Sequence, residues 1–339
     1  MKVLLVGVGE FYHIGALFRR ALVELGHECC FIDERQVFQY TLINRIVLRL
    51  LKGQPLRYND FNRAILHRTH TFRPDVLLVI KGMYVSPKIL SLVKQQSRVV
   101  LVNYATDDPF NPVVSTPDLR NGISHYDTYV CTKRAIMEDV RRAGCANVAF
   151  VPFAYEPTLH FPEAPQSEQE IKRFACDVSF VGGADADRAT LLRPVAEAFP
   201  NSFHVYGGFW HRYPEFARHQ SGMVLDRAYR LALGGAKINL GLTRRANRDG
   251  HTMRSFEIPA CGGLMITERT DEHCEWFEDG KDVVFFDSDD ELCDKVRYYV
   301  KHDAERRRIA RAGYEKITLG KHTYRDRIKT ILHLAQELG

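Results

Sequence analysis

Short unbroken apolar runs alternate with longer amphipathic stretches along most of the chain. Lys2–Val8 is the first such run and reads as a buried β-strand. Ile14, Leu17, Phe18, Ala21, Leu22 and Leu25 then recur at helical spacing, and Gly26 closes that segment. Cys29–Asp33 is the next strand, so the chain opens with a β-loop-α-β unit. The same rhythm predicts strands at Val76–Ile80, Val99–Asn103, Thr128–Cys131 and Ala149–Val151, with a helix containing Arg120–His125. Pro157, Pro162, Pro165 and the run Gln166–Glu170 read as a polar, proline-punctuated link. After it the rhythm restarts, with strands at Asp177–Val181, Phe203–Tyr206, Lys237–Leu240, Leu264–Thr267 and Val283–Phe286. Glu291–His302 and Ala304–Tyr314 are predicted helices, and Tyr324–Leu338 is an amphipathic helical tail.

This repeat predicts two doubly wound α/β domains in tandem, over 1–162 and 163–320, with a terminal helix over 321–339. Ligands of such sheets bind outside the carboxyl ends of the strands, and two facing sheets would frame a cleft. Composition fits: 45% hydrophobic and 26% charged residues over 339 positions bury a full core without disulfides or metals. The formal charge, 47 − 42 = +5, is too small to argue for nucleic acid. It is unevenly spread, however. From Arg35 to Arg73 there are eight basic residues (Arg35, Arg45, Arg49, Lys52, Arg57, Arg63, Arg68, Arg73) and one acid, Asp60. That is either a solvated helical face or a surface for an anionic partner such as membrane lipid, centred on Leu42–Leu51. The eight cysteines form no Cys-x-x-Cys pair and no zinc spacing, which suggests buried thiols in a reducing compartment. The first apolar run is too short for a signal peptide, and no segment reaches the ~18 apolar residues of a membrane span. The expected location is the cytoplasm.

Chemistry concentrates where strands meet loops. Gly7-Val8-Gly9 is not a full dinucleotide fingerprint, because Tyr12 stands where a third glycine belongs. It remains a tight turn whose backbone could approach an anion. Gly182-Gly183 ends another strand, and Arg188 follows on the next helix, where its guanidinium could grip a diphosphate or pair with Asp185 or Asp187. Asp249-Gly250-His251-Thr252 reads as a loop feeding a helix N-terminus, with Thr252 as N-cap and free N–H groups that favour phosphate. Asp249 and Glu257 form D-x7-E; Pro259 should kink or shorten the helix.

Arg254–Glu268 and Glu275–Phe286 closely resemble the C-terminal half of the CgeB-like glycosyltransferases, within the GT-B, group-1 (family-4-like) class. Arg73–Val79, Thr106–Pro109, Asp177–Gly183 and His322–Arg327 resemble the same family. The resemblance covers most of the chain and is strongest over 177–327. It implies two Rossmann-like domains facing a cleft, the second holding a nucleotide-diphosphate sugar and the first facing an acceptor. It also implies a terminal helix that returns to the first domain. Glu257 would contact the ribose and Asp249 the donor sugar hydroxyls, although the family has Glu at that first position. Arg188 would take the diphosphate, with a second basic group from Arg244, Arg245 or Arg254.

Glycosyl transfer from a nucleotide sugar to an unidentified acceptor follows from the resemblance. The D-x7-E pattern resembles retaining members. With arginines and amides to stabilise the leaving diphosphate, no metal or other cofactor is expected, and no D-x-D metal motif is evident apart from Asp185-Ala-Asp187 at a helix entrance. Asp107 and Asp108 are the first candidates for an acceptor base, or simply an Asp-Pro turn; His13 and His251 are further candidates. The rivals are a GT-B nucleotide-sugar epimerase, a non-catalytic nucleotide-sugar sensor, and a nucleic-acid binder using the Arg35–Arg73 face.

Overall fold

The structure, a computed structural model, describes residues 1–38 and 54–338. It divides into two compact units, Met1–Pro152 with Tyr324–Gly339, and Phe153–Thr323. Segment 153–162, which the sequence reading gives to the first domain, is compact with the second unit.

The first unit is built on six parallel strands: β1 (Lys2–Gly7), β2 (Glu28–Asp33), β3 (Val76–Ile80), β4 (Val100–Ala105), β5 (Thr128–Cys131) and β6 (Val148–Phe150). Their order is β2-β1-β3-β4-β5-β6. β3 and β4 are buried along their whole length, as strands of a parallel sheet covered on both faces must be. Helix Ile14–Glu24 buries Ile14, Leu17, Phe18, Ala21 and Leu22, the stripe its spacing predicts. Phe18 packs on Tyr104 and on Tyr324, which seats the terminal helix Tyr324–Gln336 in this unit. Helix Tyr58–Phe72 holds on through Phe61 and Ile65 in an otherwise basic stretch. Arg35 there pairs with Glu10, and Arg57 and Arg63 pair with Asp60. Arg45, Arg49, Lys52 and the segment Leu42–Leu51 lie outside the described residues. Among the described residues, no helix is long and apolar enough to cross a membrane.

The second unit has five parallel strands: β7 (Cys176–Val181), β8 (Phe203–Tyr206), β9 (Ala236–Leu240), β10 (Met265–Glu268) and β11 (Val284–Phe286). Their order is β11-β10-β9-β7-β8. Each of the five strands contributes to one core, among them Phe180, Val205, Ile238, Ile266 and Val284. The segment expected as a proline-punctuated link carries instead the helix Glu168–Phe174. Ser167 accepts from the Glu170 N–H, and the Glu170 carboxylate accepts from the N–H of Ser167, a reciprocal cap that three nearby prolines obscure in the sequence.

Each sheet has one switch point, where neighbouring strands leave in opposite directions: β1/β3 in the first unit, β7/β9 in the second. These are the places where an open α/β sheet offers a crevice.

Candidate functional site

At the second unit's switch point, β7 ends in Gly182-Gly183 and β9 runs into Gly241-Leu242-Thr243. Arg188 joins the two ends. It sits in the first turn of helix Ala186–Ala198, which Asp185 caps by accepting from the Arg188 N–H at 2.9 Å. Its Nη1 donates to Gly183 O at 3.1 Å, Nη2 to Leu242 O at 3.0 Å and Nε to Thr243 O at 3.2 Å. The residue is only 2% exposed. Burial, and then the charges of Arg254 and Arg244, bring its pKa down to about 10, against the pull of Asp185 and Asp249. The guanidinium that the sequence assigns to a diphosphate is therefore committed to three carbonyls, with two further arginines close to it.

Those two are differently placed. Arg244 is partly exposed, with Nε 3.7 Å from Asp185 Oδ2. Arg254 opens the helix Arg254–Ala260, and its Nε is buried with no hydrogen-bond partner. Arg245 is exposed, on the 3₁₀ turn Arg245–Asn247. Asp249 holds this turn closed: its Oδ2 accepts from Arg244 N at 3.2 Å and its Oδ1 from Asn247 Nδ2 at 2.8 Å.

Gly250 leaves no room for a side chain, since a Cβ there would lie 2.4 Å from the Glu272 carboxyl carbon. His251 lies in the loop expected of it but is fully buried. Its Nε2 accepts from Phe153 N at 3.1 Å, so the proton sits on Nδ1 and faces Glu272 Oε2. Phe153, Phe256 and Trp276 pack around the ring. Thr252 is not the N-cap: Met253 precedes the helix with a helical backbone, and the Thr252 N–H donates to Ser255 Oγ at 3.1 Å. The Thr252 hydroxyl is buried with no partner. Ser255 in turn donates to His273 Nε2 at 2.8 Å, while His273 Nδ1 donates to Glu268 O. Burial holds His273 down at about 4, so it stays neutral.

Glu257 is held from two sides. Tyr229 donates to its Oε2 at 2.6 Å. His160 Nδ1 accepts from Glu156 N at 3.0 Å, which leaves the proton on Nε2, 3.6 Å from Glu257 Oε1. At the end of β10, the Glu268 carboxylate accepts from Thr243 N and Thr243 Oγ1, and burial raises its pKa. Sequence reading missed Tyr229, His160 and His273 as partners of this region, because each reaches it from a separate element with no spacing signal. Glu268 was reachable: it ends a strand next to the switch point.

In the first unit, Gly9 N donates to Asp33 Oδ1 at 3.2 Å, and Arg35 N donates to the same oxygen. Asp33 thus shapes this turn. His13 precedes the first helix without capping it, and its Nε2 lies 3.3 Å from Glu10 Oε2. Burial and the Arg35 charge hold its pKa below the ordinary range. Asp107 Oδ2 lies 2.8 Å from Lys81 Nζ. Asp108 is buried and its Oδ1 accepts from Phe110 N at 2.9 Å, as in an Asp-Pro turn. Glu34, at the carboxyl end of β2, was not anticipated. It is buried, its Oε1 has no partner, and burial pushes its pKa up to about 7.

Two parallel doubly wound sheets of this kind, with a terminal helix seated in the first unit, are the architecture of the GT-B glycosyltransferases. Residues 188–333 match the family model described as glycosyl transferase-like, and the whole chain has the GT-B fold. Sucrose-phosphate synthase from Thermosynechococcus elongatus is similar at 12% identity and a TM-score of 0.72, over 100% of this chain and 99% of that one. HepE from Anabaena, solved in complex with UDP-glucose, is similar at 13% identity and a TM-score of 0.64, over 100% and 99%. A putative UDP-N-acetylglucosamine 2-epimerase from Listeria monocytogenes shares the fold at 10% identity and a TM-score of 0.56, over 99% and 96%. No curated protein sequence matches the chain.

Proposed function

We propose that this protein transfers a glycosyl group from a nucleoside-diphosphate sugar to an acceptor, and that the second unit binds the donor. One observation carries the reading. Arg188, Arg244 and Arg254 lie close enough for their charges to act on one another, and beside them Arg254 Nε and the Thr252 hydroxyl are buried without a partner. Buried donors of this kind are costly unless something accepts from them, and a diphosphate supplies charge and acceptors together.

Arg254 and Arg244 are the proposed diphosphate ligands, with Arg188 fixing the two strand ends between which the donor lies. Glu257, oriented by Tyr229 and His160, is the proposed ribose acid. Asp249 is the proposed residue nearest the sugar. As the bond from the anomeric carbon to the phosphate oxygen breaks, its electron pair stays with the diphosphate, and the arginines stabilise that charge. This supports a metal-independent reaction. Retention of configuration is proposed from the D-x7-E spacing, and membership of the CgeB-like subfamily from Arg254–Glu268 and His322–Arg327. The first unit is proposed to face the acceptor, with Asp107, Asp108 and His13 at its strand ends. The complex of HepE with UDP-glucose makes UDP-sugars the first donors to test.

Incubation with a panel of nucleotide sugars in EDTA, followed by NMR of the products, tests the reading. Release of nucleoside diphosphate with an unchanged anomeric configuration is expected. The Listeria neighbour favours epimerisation as a second reading. Conversion of a nucleotide sugar to its epimer with no acceptor present would establish that reaction instead.

A further inference from the structure

Close to the arginines proposed for the donor, the second unit exposes two apolar side chains that take no part in that reading. Phe209 is 54% exposed and Met223 63%. Phe209 and Met223 lie on two loops beyond the carboxyl end of β8, the strand next to β7. The loops are drawn together by backbone: Gly207 N donates to Gly222 O at 2.9 Å, and Ala184 N donates to Gly208 O at 2.9 Å. Gly207, at φ 124°, passes so close to Gly182 that a Cβ would lie 2.4 Å from its carbonyl oxygen. The Met223 methyl reaches within 4.0 Å of where a Cβ on Gly208 would stand, and the Phe209 ring comes within 3.7 Å of one on Gly183. The aromatic ring therefore borders the same glycine turn whose carbonyl Arg188 grips.

Phe209 is also strained. Its φ of 70° places a bulky aromatic residue in the left-handed region, where a glycine would sit more easily. A stretch that places glycine at 207 and 208 and then keeps an exposed phenylalanine in a glycine-like conformation holds that ring in place at a cost. Arg212 lies over the ring, 4.7 Å from its centroid, and the described core cluster of this unit does not include it.

We propose that Phe209, with Met223 beside it, is the stacking platform for the nucleobase of the donor. The inference rests on the donor reading above and adds the part of the ligand that arginines cannot recognise. A planar heterocycle is the occupant that fits. The ring adjoins the arginine cluster through Gly183, and base stacking is tolerant of which base it meets. It makes Phe209 a determinant of affinity for the nucleoside and not for the phosphates.

The test compares two probes by calorimetry on the full chain: the best-binding member of UDP, GDP, dTDP and CDP, and inorganic pyrophosphate as competitor. Phe209→Ala should weaken the nucleotide about tenfold or more, the size expected for losing one stacked base, and change pyrophosphate affinity less than twofold. Phe209→Tyr should keep the affinity. Phe209→Gly should weaken the nucleotide equally while leaving the melting temperature unchanged or higher, because it relieves the left-handed phenylalanine. Equal weakening of both probes, or none of either, would overturn the inference while leaving the donor reading standing. Failure of the wild type to bind any of the nucleotides would remove both.

Discussion

At Glu34 the chain buries a carboxyl whose Oε1 has no hydrogen-bond partner, and a pKa pushed up to about 7 is the consequence. An ordinary glutamate in the unfolded chain titrates near 4.5. Between those values the unfolded chain gives up its proton first, so folding stability falls as pH rises through this window and levels off above it. The whole effect amounts to about 3 kcal/mol at most. Glu34→Gln is therefore expected to raise the urea midpoint at pH 8 and to leave it unchanged at pH 4.5; an equal effect at both values would contradict the assignment. The residue-scale chemistry was only partly legible. Glu257 stood out because its spacing from Asp249 carries a family pattern. Glu34 carries no pattern, since its burial comes from packing that sequence spacing does not encode. His251 went the other way: a histidine beside a glycine and an acid looks like a loop ligand, yet its two ring nitrogens are taken by Phe153 and Glu272.

The strands were readable because each is a short apolar run closed by a turn residue, as β3, β5 and β8 show with bounds that the sequence already marks. Helix Glu168–Phe174 was not, because proline spacing outweighed a capping box that the sequence does contain. What no local pattern could supply is the way one side chain couples separate elements. Arg188 fastens the end of β7 to the end of β9 through three carbonyls. Arg188→Ala is expected to cost about 3–5 kcal/mol, the range for breaking a buried, fully bonded charged group. That would lower the melting temperature of the second unit by about 10 °C. Arg188→Lys should recover only part of it, because an ammonium cannot fork to three carbonyls. A variant as stable as the wild type, but unable to bind nucleotide, would mean that Arg188 grips the donor directly.

On the scale of the molecule, the two β/α repeats of the sequence are two parallel sheets, each with one switch point, and the polar groups gather at the strand ends. The division at Pro152 differs from the sequence estimate because segment 153–162 bonds to its own unit: Phe153 N donates to His251, and Arg230 donates to Leu159 O. On this account the second unit is a nucleoside-diphosphate site whose open donor is Arg254. Calorimetric titration of UDP, GDP, dTDP and CDP into the wild type and Arg254→Ala tests it most directly, with melting curves run without ligand. One nucleotide should bind the wild type and lose about tenfold or more in affinity to Arg254→Ala, the loss expected for one charged hydrogen bond, with the melting temperature unchanged. Equal binding to both proteins, or no binding to either, would contradict it.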